Sequence, residues 1–474
     1  MSSNHSYADE YVLFSSRFPL MKRNRMTRKF KIVTLGCKVN QYESAYLKEA
    51  LLRGGWEQAS KGEAADASVV NTCIVTQRAS YQSRQAIRKA VRENPSGISV
   101  AVGCYAQAFS DELSGIEGLD LILGNTTKGR LPEILASLEK QSLPRLVLED
   151  FSEAMPFEFL PVKGAAGRTR AFLKIQEGCE SFCSYCIVPF ARGPLRSLDP
   201  DKVLLMLKEL CEAGYKEVVL TGIHLGKYGV DLGDGTNLMH LLVGIGKERL
   251  PLRIRLSSLE PNEIHQELIE LVASEDWLCR HFHIPLQSGD NGILRAMNRH
   301  YSSAGFARLV EQIHTKTPLA AIGVDVMAGF PGEDQQAYLN TYDVIRDLPI
   351  SYLHVFPYSP RKGTAASRLR GQVPQKEVKE RAAALRALGQ EKRKAFYRSC
   401  LGRTFVVLAE GWECEMRRTI KGLSDNYLKI IFPSPELIKK EVVAVTPERL
   451  DKDRILGKVV HPECVGHASR LGVS

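Results

Sequence analysis

The chain of 474 residues has no stretch of about eighteen uninterrupted apolar residues, which excludes a membrane-spanning helix. It has no acidic surplus. The 64 lysines and arginines against 54 acidic residues leave a formal net charge of +10, which favours an anionic partner, and nucleic acid is the commonest large one. It has no even, closely spaced set of cysteines. Its 11 cysteines are scattered over the whole length, which speaks against a disulfide framework and for a reducing, cytoplasmic setting. The N-terminus lacks the apolar core and small-residue cleavage site of a secretory signal. Residues 1–28, polar and then basic, read as a disordered extension, with Met21 and Met26 as alternative starts. Apolar residues are not scarce. At 44% they supply a sizeable core, and the length predicts about two to four domains.

What is present starts at Cys179, Cys183 and Cys186, a C-x₃-C-x₂-C spacing just after the apolar run 171–175, which reads as a strand. Three thiols this close surround one inorganic centre. Four-iron clusters are normally held by four thiolates, so three leave one iron open to a substrate. Structural zinc is the alternative. It prefers a closed set of four ligands, and no fourth Cys or His lies nearby in sequence, so a distant His would have to complete it.

Upstream, 31–36, 67–72 and 99–103 are short buried-strand patterns, each followed at once by a cysteine: Cys37, Cys73 and Cys104. Helical patterns over 43–53 and 79–93 separate them, so a parallel α/β sheet is expected over 29–140. Ligands gather at the carboxyl ends of such strands. A single cysteine there is usually a buried core residue. Three at equivalent strand ends point to a second metal-cluster site. Arg78, Arg84, Arg88, Lys89 and Arg92 on the second helical pattern read as a solvated face, with RNA contact as the alternative. Residues 141–168, rich in Pro and Gly and without periodicity, are expected as a linker.

Over 169–398, strand patterns at 172–176, 217–220, 253–256, 281–285, 322–327 and 352–356 alternate with helical ones, which predicts a partial (β/α)₆ barrel. Active residues belong at the carboxyl ends of those strands. His224, His281, His283 and His354 lie near strand ends and receive no role. Cys211 and Cys279 read as core residues, and Cys400, Cys414 and Cys464 have no ligand spacing. Five short strands over 404–460 suggest a small β-barrel over 399–463. Such barrels commonly bind oligonucleotides. Arg417, Arg418, Lys421 and Lys429 supply charge, and Tyr427 is placed to stack a base. A purely structural β-module is the alternative.

Cys179 to Cys186, with Tyr185 in the aromatic slot before the last cysteine, resembles the hallmark of radical S-adenosylmethionine (SAM) enzymes. The order of the three parts over 30–463, with the wording of 34–44, 71–73, 103–107 and 178–193, resembles the methylthiotransferase family. The resemblance implies two [4Fe-4S] clusters, on Cys179, Cys183 and Cys186 and on Cys37, Cys73 and Cys104, together with SAM. It places SAM contacts at Tyr185, Gly222, Glu260, Gln287 and Gly329. It also implies a TRAM-like C-terminal module, tRNA as partner, and a flavodoxin- or ferredoxin-type electron donor. Cys37-Lys38-Val39-Asn40-Gln41 resembles the branch that modifies N6-threonylcarbamoyladenosine. The Gly-Cys-Gln-Met-Asn of the isopentenyladenosine branch and the Gly-Cys-x-Lys-Asn of the ribosomal-protein branch are absent. A radical SAM enzyme with a non-RNA substrate and a non-enzymatic iron–sulfur or zinc RNA-binding protein are the competing readings. Oligomeric state is not encoded in any of these patterns.

Overall fold

The computed structural model describes residues 27–140, 142–152, 155–162 and 168–460. The expected N-terminal extension, apart from Thr27 and Arg28, lies outside them, as does Cys464. Among the described residues no helix is long and apolar enough to cross a membrane.

The first unit is a six-stranded parallel sheet. Its strands are β1 (Lys29–Thr34), β2 (Glu57–Gln58), β3 (Ala67–Thr72), β4 (Ile98–Gly103), β5 (Leu121–Leu123) and β6 (Arg145–Val147), in the order β2-β1-β3-β4-β5-β6. All six residues of β3 are buried. That is the signature of a central parallel strand covered on both faces, and it explains a run without alternation. The helices Lys38–Arg53 and Gln77–Glu93 supply the crossovers. Strand β6 lies inside the stretch expected as a linker, and it pairs with β5 from Leu121–Arg145 to Leu123–Val147. It is three residues long and mostly exposed, so its place is set by backbone pairing with β5, which leaves no side-chain periodicity to read. Leu160 and Val162, in the same stretch, are buried in the core of the next unit.

That unit holds β7 (Ala171–Lys174), the short antiparallel pair β8 (Gln176–Glu177) and β9 (Arg196–Ser197), then β10 (Glu217–Thr221), β11 (Arg253–Leu256), β12 (His281–Gln287), β13 (Ala321–Ala328) and β14 (Tyr352–Pro357). The six longer strands form two parallel three-stranded sheets, β7-β10-β11 and β12-β13-β14, with a parallel bridge from Ile254 to Leu278 at the seam. Alternate residues such as Val218, Leu220, Ile254, Ile284 and Val324 are buried in the apolar core. Their neighbours in the alternation, among them Glu217, Arg253, Arg255, His281, His283 and Asp325, make the other face polar and charged.

The helix Gln375–Ser399 leads into a closed barrel of β15 (Phe405–Cys414), β16 (Thr419–Ser424), β17 (Lys429–Pro433), β18 (Val442–Asp451) and β19 (Arg454–Val459), in the order β15-β16-β17-β19-β18. This barrel is fastened by arginines of β11. Arg253 donates to the carbonyls of Val406 (2.9 Å) and Leu423 (2.8 Å), and Arg255 to those of Ser424 and Asp425 (2.9 Å each). Both guanidinium groups are buried and share Glu217 as counter-ion at 2.7 Å. Tyr427 is part of this docking surface. Its ring stacks on His281 at 4.4 Å, with the Arg255 guanidinium 5.3 Å from its centroid, so it is not free to stack a base. Arg417, Arg418, Lys421 and Lys429 are exposed.

Candidate active site

Strands β1, β3 and β4 are immediate neighbours, so the residues that follow them emerge side by side on one sheet edge, about 5 Å from strand to strand. Those residues are Cys37, Cys73 and Cys104. Gly36 and Gly103 precede two of them with φ of 101° and 99°. A Cβ on Gly36 would stand 2.9 Å from the Cys73 sulfur, so glycine is required for the close approach. Two asparagines clamp the strand ends. Asn40 Nδ2 donates to the carbonyls of Leu35 (2.8 Å) and Thr72 (2.9 Å), and Asn71 Nδ2 to that of Asn40 (3.0 Å). Cys37 opens to solvent, whereas Cys73 and Cys104 are buried. Burial pushes the Cys73 thiol up to about 11.

Arg192, only 1% exposed, ends the short helix Val188–Arg192 that follows the second cysteine group. Its Nε donates to the Cys104 sulfur at 3.0 Å, and its Nη2 to Asn40 Oδ1 at 2.6 Å. Its Nη1 meets Glu43 at 2.5 Å and Glu177 at 3.1 Å. Lys128 joins Glu43, and Lys174 joins both carboxylates, at 2.8 Å from Glu177. Burial alone would favour neutral carboxyl groups. Arg192, Lys128 and Lys174 outweigh it and hold Glu43 well below the usual carboxylate range, and Arg192, Lys174 and Arg196 hold Glu177 at about 2.

Cys179, Cys183 and Cys186 lie on the loop after β8. Gly178 has φ of 79°, and a Cβ there would stand 1.7 Å from the Pro194 carbonyl oxygen, so the loop closes on itself only with glycine. The Cys179 amide donates to the Gly193 carbonyl at 3.0 Å and that of Cys186 to the Cys183 carbonyl at 2.9 Å. Asn298 Nδ2 holds the carbonyls of Ser181 and Phe182 at 3.1 and 3.2 Å. Two polar groups address the sulfurs. Arg299 Nη1 donates to Cys183 at 3.3 Å, and His224 Nδ1 is 3.5 Å from Cys179. His224 Nε2 is fixed by Glu263 at 2.7 Å. Burial opposes charge on His224, but Cys179 and Glu263 outweigh it and lift the imidazole to about 10. Burial raises Cys186 to about 12. Three convergent thiols with polar donors on two of them fit a thiolate-bound cluster with one open position.

A cavity of about 480 Å³ adjoins this loop, lined among others by Cys183, His224, Glu260, Arg299 and Tyr301. Of the five residues expected to contact SAM, Glu260 opens onto it, paired with Arg299. Tyr185 packs edge-on against Phe330 with ring centroids 6.4 Å apart. Gly222 leaves room for Gln176, whose Oε1 would be 2.8 Å from a Cβ there. Gln287 sits at a register shift of β12 with φ of 60°. Gly329 faces Val378 of the long helix, 2.3 Å from the place of a Cβ, so packing by itself requires glycine there.

The surroundings of Arg192, Glu43, Arg299 and Lys38 emerge only from the structure, as does the place of His224, which the sequence left without a role. Lys38 is pushed down to about 8 by burial and by Arg255 and Arg170 nearby. The histidines without an assigned role also find partners. Asp325 lies 3.0 Å from His283 Nε2 and 3.2 Å from His354 Nδ1, and His281 Nε2 is 2.8 Å from the Tyr352 hydroxyl. Arg192 lies inside the quoted 178–193 wording, but a buried arginine with four partners has no sequence signal of its own.

Residues 29–124 match the family described as "Uncharacterized protein family UPF0004", and residues 173–345 match the radical SAM superfamily. The latter implies a [4Fe-4S] cluster and SAM. Two curated relatives are called threonylcarbamoyladenosine tRNA methylthiotransferase MtaB. That of Bacillus subtilis is 38% identical over 87% of this chain and 92% of its own length, and that of Aquifex aeolicus 42% identical over 84% and 95%. A third, tRNA-2-methylthio-N(6)-dimethylallyladenosine synthase of Moorella thermoacetica, is 31% identical over 91% and 98%. The fold is similar to the radical SAM methyltransferase TsrM of Kitasatospora setae, with a TM-score of 0.55 and 16% identity over 72% of this chain and 77% of that one. With relatives of this identity matched over most of both chains, the protein belongs to the radical SAM methylthiotransferase family.

Proposed function

We propose that the protein places a methylthio group on C2 of N6-threonylcarbamoyladenosine next to the anticodon of tRNA. Cys179, Cys183 and Cys186 would hold a [4Fe-4S] cluster whose open iron takes SAM, and Cys37, Cys73 and Cys104 a second cluster. When bound, these groups supply a radical for hydrogen removal at C2 and the sulfur that replaces it. The chain's own residues hold the two sites in register. The observation that carries the reading is one five-residue helix. Val188–Arg192 begins two residues after Cys186 and ends with Arg192 on Cys104, so a single rigid piece touches both cysteine groups. Two half-open centres held this way suit a reaction in which one activates a carbon and the other delivers to it.

The choice of base rests on the Cys37-Lys38-Val39-Asn40-Gln41 wording, on the two relatives named for threonylcarbamoyladenosine, and on polarity. The polar face of the second sheet carries His283, Asp325 and His354, donors and acceptors suited to a carboxylate, hydroxyl and urea-like group rather than a bare isopentenyl chain. The TRAM-like C-terminal barrel, with exposed Arg417, Arg418, Lys421 and Lys429, would meet the tRNA backbone. A flavodoxin- or ferredoxin-type protein would deliver the electron, in the cytoplasm. Incubation of reconstituted, reduced enzyme with SAM and two tRNAs, one bearing each modification, tests the reading by nucleoside mass spectrometry. Methylthio product is expected from threonylcarbamoyladenosine alone. Product only from isopentenyladenosine would defeat the choice of base, and product from neither would defeat the reaction.

A further inference from the structure

A second cavity, of about 400 Å³, lies between the N-terminal unit and the loop after β14. Ile74, next to Cys73, lines it together with Tyr81, Arg84, Tyr105, Arg361 and Lys362. The two sides are joined by Gln77, whose backbone N–H donates to Ser359 Oγ and whose side chain donates to the Pro360 carbonyl, each at 3.2 Å. Arg361 is only 7% exposed. Its Nη1 donates to Ser80 Oγ at 3.1 Å, while its Nε and Nη2 are buried with no hydrogen-bond partner among the described residues.

That arrangement is costly unless something else fills it. A buried donor left unpaired forfeits its hydration without return, and the loss is larger when the donor is charged. Nε and Nη2 share one edge of the planar guanidinium, the edge that grips a carboxylate or phosphate through two parallel hydrogen bonds. Among the described residues no carboxylate answers it. Glu112, the acidic residue of the cavity wall, accepts from the Tyr105 hydroxyl at 2.6 Å and lies 4.0 Å from Arg84. The wall thus carries three cations, Arg84, Arg361 and Lys362, against one engaged carboxylate. Burial lowers Arg361 only to about 10, so it is charged at neutral pH. Tyr81, 57% exposed, offers a ring face to a nucleobase.

We propose that this cavity is an oxyanion subsite for the RNA substrate, with Arg361 as its buried two-pronged donor and Arg84 and Lys362 as supporting charges. It rests on the reading that the substrate is a modified anticodon-loop adenosine. The oxyanion comes either from the carboxylate of the modified base or from a neighbouring backbone phosphate, and the chemistry of recognition is the same.

The test is equilibrium binding of cluster-loaded Arg361→Met and Arg361→Lys to one tRNA in two forms, bearing threonylcarbamoyladenosine and as the unmodified transcript, over a range of salt. Arg361→Met should bind about ten- to hundred-fold more weakly, as expected for loss of a charged hydrogen-bonded pair. The Lys variant should recover part of the affinity. A base carboxylate is the ligand if only the modified tRNA loses affinity. A phosphate is the ligand if both forms lose it equally and the slope of log affinity against log salt flattens by about 0.7. Wild-type affinity and slope for both forms would overturn the subsite. If Arg361→Met melts early or loses iron, the double variant Arg84→Met/Lys362→Met decides, and undiminished affinity there overturns it as well. The product assay on wild-type enzyme is separate: Arg361-dependent binding without methylthio product would remove the assigned reaction and leave the subsite standing.

Discussion

Glu43→Gln is the most demanding perturbation of the region between the two cysteine groups. Glu43 is 1% exposed and faces Arg192 at 2.5 Å, Lys174 at 3.5 Å and Lys128. The substitution keeps the volume and removes the charge, so Arg192 and Lys174 keep only Glu177 as an ion-pair partner and Lys128 loses the one it had. Breaking a buried ion pair by removing one partner costs about 3–5 kcal/mol, because the other charge stays buried. At about 2–4 °C per kcal/mol for a unit of this size, the melting midpoint of the N-terminal transition should fall by on the order of 10 °C. The assay is thermal melting of cluster-free protein followed by circular dichroism at pH 7. Glu93→Gln is the control. Its partner Lys89 is 3.7 Å away and both side chains are more than half exposed, so the pair is worth under about 1 kcal/mol. The pH dependence has a definite sign. Glu43 is depressed in the folded protein, so its contribution is present above the ordinary carboxylate value near 4.5 and is lost as pH falls below it. The gap between wild type and variant should therefore narrow steadily below that pH. A Glu43→Gln protein melting within about 2 °C of wild type at pH 7, or a gap that stays constant into acid, would refute the network as a stabilising element.

Three further outcomes are expected. Changing Cys179, Cys183 and Cys186 to Ala should halve the iron of reconstituted protein from about eight to about four per chain, and zinc in place of iron after anaerobic purification would sink the two-cluster proposal. In cluster-free protein at pH 8, mass spectrometry should show alkylation of Cys179, whose thiol is drawn down by His224 and Ser181 against burial, well ahead of Cys73 and Cys186. With thiols raised by burial to about 11 and about 12, the latter two hold only about one thiolate per thousand and per ten thousand molecules, and equal rates at all three would contradict this ordering. Arg253→Met removes the donor to the Val406 and Leu423 carbonyls and should open the C-terminal barrel to limited proteolysis near residues 399–404 while the long helix before it survives. Digestion indistinguishable from wild type would show that the barrel is held by other contacts.

The fold class and the places of the six cysteines, after three neighbouring strands and in one loop, were legible from the chain alone, because each rests on local pattern. Short strand patterns rich in Val and Ile mark the sheet, and a cysteine soon after such a pattern emerges at the sheet edge. The C-x₃-C-x₂-C spacing is local by definition. Strand β6 left no trace in the sequence, since a three-residue exposed edge strand is specified by the backbone of its neighbour. Tyr427 was misread for a related reason. Its aromatic type and basic surroundings suit a nucleobase equally well, and only the docking of the closed barrel on β11 and β12 turns the ring onto His281. The buried charges depend wholly on tertiary structure. Arg192 and Glu43 are 149 positions apart, and Arg361 and Ser80 are 281 apart. A charged residue in sequence is by default a solvated one, and its value as a counter-ion or as an unanswered donor exists only once folding has removed water and fixed which groups remain within reach.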